Sequence, residues 1–140
     1  MTQQFSKAEA NEAIKKNYRK AEKILQNKDD FERFLQSVEK KLHHVPVVGS
    51  DLAVVPAMIS LVRHFAEGRY RHVPIGTILA IVSSLIYFVS PVDVILDLLP
   101  VVGLVDDALV IKVCLEMVKS DLKTYDEWRI REGLLEGKNK

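Results

Sequence analysis

The chain has 140 residues, enough for one domain or for a small domain with an arm. Lys and Arg number 20 against 19 Asp and Glu, a net charge of +1, so no whole-chain field favours nucleic acid or a strongly acidic partner. With 48% hydrophobic and 28% charged residues, disorder is excluded as the default, and one cysteine, Cys114, excludes an internal disulfide and a cysteine-based zinc site.

The charge is sorted along the chain. Residues 1–72 carry 13 basic and 9 acidic side chains. Residues 73–118 carry one basic residue, Lys112, against five acids, Asp93, Asp97, Asp106, Asp107 and Glu116. Residues 119–140 are mildly basic again. An apolar, acidic middle between basic ends hints at a membrane surface. The start shows no secretory pattern, so the expected location is the membrane, with both termini on the cytoplasmic side.

Periodicity predicts an all-α fold, a compact helical bundle with a central apolar helix or hairpin, preceded by amphipathic helices. Ile14, Tyr18, Ala21 and Leu25 recur on one helical face, with Lys15, Lys16, Arg19, Lys20 and Lys23 covering much of the rest. These cations suit either a solvated face or docking on anionic lipid heads, with Ile14 and Tyr18 toward the acyl boundary. Asn27 to Asp30 reads as a break and a cap. Phe31, Phe34, Leu35, Val38 and Leu42 mark the next helix. Pro46 and Gly49 punctuate a loop. Asp51 is expected to cap a helix that runs to about Glu67 and stops at Gly68, with Pro56 kinking it or marking its first turn. That helix is apolar almost all round.

Val73 to Val92 is the most distinctive stretch, 20 residues without a charge. At about 1.5 Å per residue, a helix of that length spans roughly the hydrocarbon thickness of a bilayer, making 73–92 a candidate membrane segment. Ser90-Pro91-Val92-Asp93 reads as a helix start within it, which shortens the uninterrupted helix to about 15 residues, the length of a re-entrant or buried element. A short helix is expected to about Leu99. Asp106 or Asp107 would then cap a long helix to about Tyr125, with Lys112, Glu116, Lys119 and Lys123 as its polar stripe. Val45-Pro46-Val47-Val48-Gly49 recurs as Leu99-Pro100-Val101-Val102-Gly103, read as shared turn punctuation or as a duplicated hairpin. The organisation expected is a basic amphipathic arm over 1–44, a helical domain over 45–130 and a polar tail over 131–140.

Tyr87, Ser90, Pro91, Asp93, Asp97, Pro100, Gly103, Asp106 and Asp107, in that order and spacing, resemble the signature of the YkvA-like family. Gly68-Arg69-Tyr70-Arg71 and Pro74 extend the likeness to about residues 45–120. One departure is Leu96, where the family pattern has Pro. The resemblance implies a helical, membrane-linked domain of unknown function, with no substrate, cofactor or reaction.

The four aspartates Asp93, Asp97, Asp106 and Asp107 are the candidate chemistry. Carboxylates in apolar surroundings are costly unless paired or metal-bound. They suit capping and ion pairs to Arg63, Arg69, Arg71 or Lys112, or a Ca²⁺ or Mg²⁺ site, or an ion path. His43, His44, His64 and His72 have no ligand spacing and read as surface or loop residues. Cys114 reads as a small core residue. No phosphate-binding loop, nucleophile motif or nucleic-acid motif occurs. The expectation is therefore a membrane-associated helical protein that is not an enzyme, has no cofactor and meets lipid, with a protein partner or a second copy also open. It would resist extraction by salt. A soluble helical-bundle interaction domain and a divalent-metal-binding protein are the alternatives.

Overall fold

A computed structural model of the chain describes residues 7–44, 52–89 and 104–134. Among these residues there are six α-helices and no strands, the all-α bundle that the periodicity predicts. They are α1 (Lys7–Lys16), α2 (Tyr18–Gln26), α3 (Lys28–His44), α4 (Val55–Ala66), α5 (Ile75–Val89) and α6 (Leu104–Arg131), with a 3₁₀ turn at Leu52–Val54 before α4. The expected Asp51 cap, the paired turns at Val45 and Leu99 and the helix start at Ser90 all lie outside the described residues.

The helix boundaries follow from local chemistry. One continuous helix is expected over Ile14 to Leu25, but two are found. Asn17 separates them: its side-chain amide donates to the Ala13 carbonyl at 3.3 Å, and its own N–H turns to Ile14 O at 3.1 Å. A side chain inserted into the ladder in this way bends a helix. Asn27 starts α3 as expected, its Oδ1 accepting the Asp30 N–H at 2.9 Å. Pro56 lies in the first turn of α4, where its missing N–H costs nothing. Gly68 closes that helix at φ +78°, with Arg69 N–H reaching back to His64 O and Gly68 N–H to Phe65 O. Gly133, φ +75°, ends α6 with the same pair of bonds, to Arg129 O from Leu134 and to Ile130 O from Gly133.

Helix α6 corrects two expectations. It begins at Leu104, which puts Asp106 and Asp107 within its first turn and not at its cap. It also runs past Tyr125 to Arg131, because Tyr125 and Trp128 keep the i, i+3 spacing that holds the helix against the core. Lys112, Glu116, Lys119 and Lys123 are exposed, as their shared stripe predicts.

Helix α5 is the axis of the molecule. α1, α2, α3, α4 and α6 all pack on it. Residues 80–88 are buried without a break, and Ile78, Ile81, Val82, Leu85, Tyr87 and Phe88 are wholly enclosed. Each fully buried aliphatic or aromatic side chain contributes about 1.5–3 kcal/mol of hydrophobic stabilisation. The candidate membrane segment 73–92 is thus not one 20-residue helix over the described residues: Val73 and Pro74 precede the helix, and its described part has 15 residues. No described helix is long and apolar enough to cross a membrane. The stretch read as an arm over 1–44 contributes Ala10, Ala13, Ile14, Ala21, Phe31, Leu35 and Val38 to the same core.

Opposite charges on neighbouring helices hold the two ends of α5. At its start Thr77 Oγ1 donates to Asp121 Oδ2 of α6 at 2.5 Å. At the other end Lys41 of α3 donates to the Phe88 carbonyl and lies over the Phe88 ring, 4.9 Å from its centroid. An acid at the N-terminal turn and a cation at the C-terminal carbonyls both complement the helix dipole.

Candidate functional site

Of the signature residues, Tyr87 is fully buried on α5. Ser90, Pro91, Asp93, Asp97, Pro100 and Gly103 lie outside the described residues, and of Asp106 and Asp107 only the backbone placement is described. Among the described residues no group of three or more His, Cys, Asp or Glu stands close enough to hold a metal ion. Arg63, a candidate partner for the aspartates, pairs with glutamates of α3. Its Nη2 and Nε reach Glu32 at 2.9 and 3.2 Å, and its Nη1 reaches Glu39 at 3.2 Å. Burial works against the Arg63 charge, but the bonds to Glu39 and Glu32 outweigh it and push its pKa up. Arg69 lies 4.0 Å from Glu67.

The described polar cluster that sequence reading misses centres on Tyr125. Its hydroxyl lies 2.6 Å from His64 Nδ1 and 2.5 Å from Ser60 Oγ. Ser60 and His64 are i, i+4 on α4 and so share a face. Tyr125 comes from α6, one residue in an aromatic cluster with the buried Tyr70 and the partly buried Trp128. The Tyr70 ring meets Tyr125 edge-on at 5.0 Å, and Trp128 stacks on Tyr125 at 5.8 Å. His64 meets Trp128 at 5.5 Å. Reading His64 as a plain surface residue is therefore corrected: it is half-buried and hydrogen-bonded. Burial, followed by the charge of Arg69, lowers its pKa. The Tyr125 hydroxyl has one proton to donate, so the tautomer of the His64 imidazole sets which of Nδ1 and Ser60 Oγ accepts it. Burial pushes the Tyr125 phenol up, opposed by the Ser60 hydrogen bond. Sequence spacing marks Ser60 and His64 as neighbours but carries no signal for Tyr125.

Two concavities flank α4. One, of about 370 Å³, is lined by Ser60, His64, Arg63, Glu39, His43 and Pro56 among others. The second, of about 500 Å³, lies where the end of α2 and the start of α3 face the end of α4 and the first residue of α5. Leu25, Phe31, Phe65 and Ile75 form its apolar walls, with Lys28 and Arg71 among its charged lining. Arg71 packs over the Phe65 ring at 4.8 Å. Cys114 is enclosed, its thiol donating weakly to Ala80 O, and burial pushes its pKa up to about 11.

The lipid-docking face expected on the first two helices survives in part. Lys15, Lys16, Arg19, Lys20 and Lys23 are exposed, with Glu12 and Glu22 among them. Ile14, however, is wholly buried and Tyr18 packs against the core, so neither is available to an acyl boundary. That face offers charge without apolar anchors.

Comparison with known proteins agrees with the signature. Residues 77–113, most of α5 through the middle of α6, match the family described as a protein of unknown function (DUF1232). The chain is 27% identical over 77 residues to the uncharacterized membrane protein YkvA of Bacillus subtilis (strain 168), an alignment covering 55% of this chain and 73% of that protein. No solved structure matches. The resemblance implied by the motif is therefore borne out: the middle of this chain is YkvA-like, similar to a family whose function is unknown.

Proposed function

We propose that the chain acts without catalysis, as a helical module at the cytoplasmic face of a membrane, held there by charge on α1 and α2. The observation that carries this reading is the enclosure of α5. Its apolar side chains are those suited to enter lipid, and they are spent on the protein's own core. Embedding 73–92 as a hairpin would mean pulling α5 away from five helices. What remains for a membrane is the surface, and there Lys15, Lys16, Arg19, Lys20 and Lys23 form the densest exposed basic run. Polybasic faces bind anionic leaflets with about 1 kcal/mol per cation near the surface, an attraction that salt screens. The likeness to a protein named as a membrane protein supports the location.

The test is sedimentation of purified protein with vesicles. Binding to phosphatidylglycerol vesicles, little binding to phosphatidylcholine vesicles, and release by high salt are expected. Extraction only by detergent would restore the embedded hairpin. The enclosed core equally suits a second reading, an interaction domain for a protein partner or a second copy, and absence of binding to either vesicle would favour that. A Ca²⁺ or Mg²⁺ role for Asp93, Asp97, Asp106 and Asp107 rests on the sequence alone.

A further inference from the structure

The larger concavity combines features that belong to an amphiphile site. Its volume, about 500 Å³, falls within the roughly 300–1,000 Å³ of small-molecule pockets. Leu25, Phe31 and Phe65 give it an apolar wall, and Ile75 at its edge is 56% exposed, the most exposed large apolar side chain among the described residues. The lining also carries charge, and the charges are unevenly engaged. Glu32 is bound by Arg63, and Glu67 lies beside Arg69. Lys28 and Arg71 have no carboxylate partner among the described residues, and Arg71 is steadied against the apolar wall by the Phe65 ring.

The approach to the groove is also basic. Arg19, Lys23 and Gln26 are spaced i, i+4 and i+7 along α2, so they form one row on its surface. Gln26 lines the groove, so the row of exposed cations ends at its mouth.

We propose that this groove takes one acyl chain of an anionic phospholipid, with Arg71 and Lys28 holding the head group. The inference rests on the reading of the chain as a membrane-surface module and names the site that reading lacks. The apolar walls supply the burial absent from the face of α1 and α2. A chain drawn out of the bilayer would cover Ile75 and add apolar burial to an attachment whose charge contribution salt still screens.

The experiment titrates the full chain by calorimetry with lysophosphatidylglycerol and, separately, with lysophosphatidylcholine, both below micelle-forming concentrations. One lysophosphatidylglycerol per chain is expected, with lysophosphatidylcholine bound at least several-fold more weakly. Ile75→Asp, at an exposed position that leaves folding intact, and Arg71→Glu are each expected to weaken uptake by about tenfold or more. Melting curves check that both variants remain folded, and Ile75→Asp alone suffices if Arg71→Glu does not. No uptake by the wild-type chain, equal uptake of the two lipids, or unchanged uptake by folded Ile75→Asp would overturn the proposal. Phosphatidylglycerol vesicles separate this from the broader reading. If the chain sediments with them yet takes up no single lipid, the groove site falls while the membrane-surface module stands. If it does neither, both fall.

Discussion

Asp121 and Lys41 stand at opposite ends of the same buried helix, the acid bonded to Thr77 in its first turn and the cation to the Phe88 carbonyl in its last described turn. Neither belongs to α5. The most apolar described helix is thus tied at its start through the Thr77 hydroxyl to α6 and at its other described end through the Phe88 carbonyl to α3, with charges that complement its dipole. Asp121→Asn and Lys41→Met are each expected to lower stability by about 1 kcal/mol, read from urea denaturation midpoints. The two should be nearly additive, because they act at separate sites.

Enclosure of α5 makes a sharper demand. Ile81→Ala removes a side chain with no exposure and is expected to cost about 2–5 kcal/mol in urea unfolding without any membrane present. A change below about 0.5 kcal/mol would mean that Ile81 is not packed as described.

The hydroxyl of Tyr125 has two partners, so Tyr125→Phe strands both His64 Nδ1 and Ser60 Oγ. A loss of about 1–3 kcal/mol is expected, with the ring packing on Tyr70 and Trp128 retained. Near-ultraviolet circular dichroism should keep its aromatic signal while the melting temperature falls.

Burial and Arg69 hold the folded His64 pKa below the ordinary 6.5, with Arg129 and Arg63 adding to the effect and Glu67 opposing it. The unfolded chain therefore takes up the proton first. Stability from this group is intact above pH 6.5 and declines as pH falls from there toward the lower folded value. Melting temperature should fall as pH drops below the ordinary histidine value of about 6.5, with this group adding nothing to the pH dependence above it. His64→Gln should flatten that drop.

Cys114, enclosed and with its pKa pushed up to about 11, should react with thiol reagents at neutral pH only through opening of the bundle. Labelling is expected to be slow in buffer and rapid in denaturant. Fast labelling in buffer would show that α5 and α6 separate readily.

The sequence conveys the helical periodicity well, and the reasons are local. Asn27 and Gly68 carry their own cap and stop chemistry, so the ends they set appear where they are expected. Asn17 does not, because an asparagine among helix formers gives no sign that its amide will turn inward to Ala13. The length of α6 was hidden for another reason. Tyr125 and Trp128 are held by Tyr70, more than fifty residues earlier, and no window of sequence contains both sides of that contact. The run from Val73 to Val92 was visible but ambiguous, since a helix apolar on every side suits lipid and core alike. Only the packing of five neighbours distinguishes them. Arg63 shows the same limit: its charge is plain, but its pairing with Glu32 and Glu39 is set by how α3 crosses α4.

The segment that matches the family, 77–113, takes in most of α5 and the start of α6 but not the other four helices that pack on α5. Lys41 grips it from before the matched stretch and Asp121 from beyond, while α1 to α4 supply most of its walls. Excised alone, that piece would be a greasy ribbon looking for cover, and in a cell the nearest cover is a bilayer or a chaperone. The surrounding helices therefore decide what kind of object the shared segment becomes, and relatives that clothe it differently could lodge the same motif in a different medium.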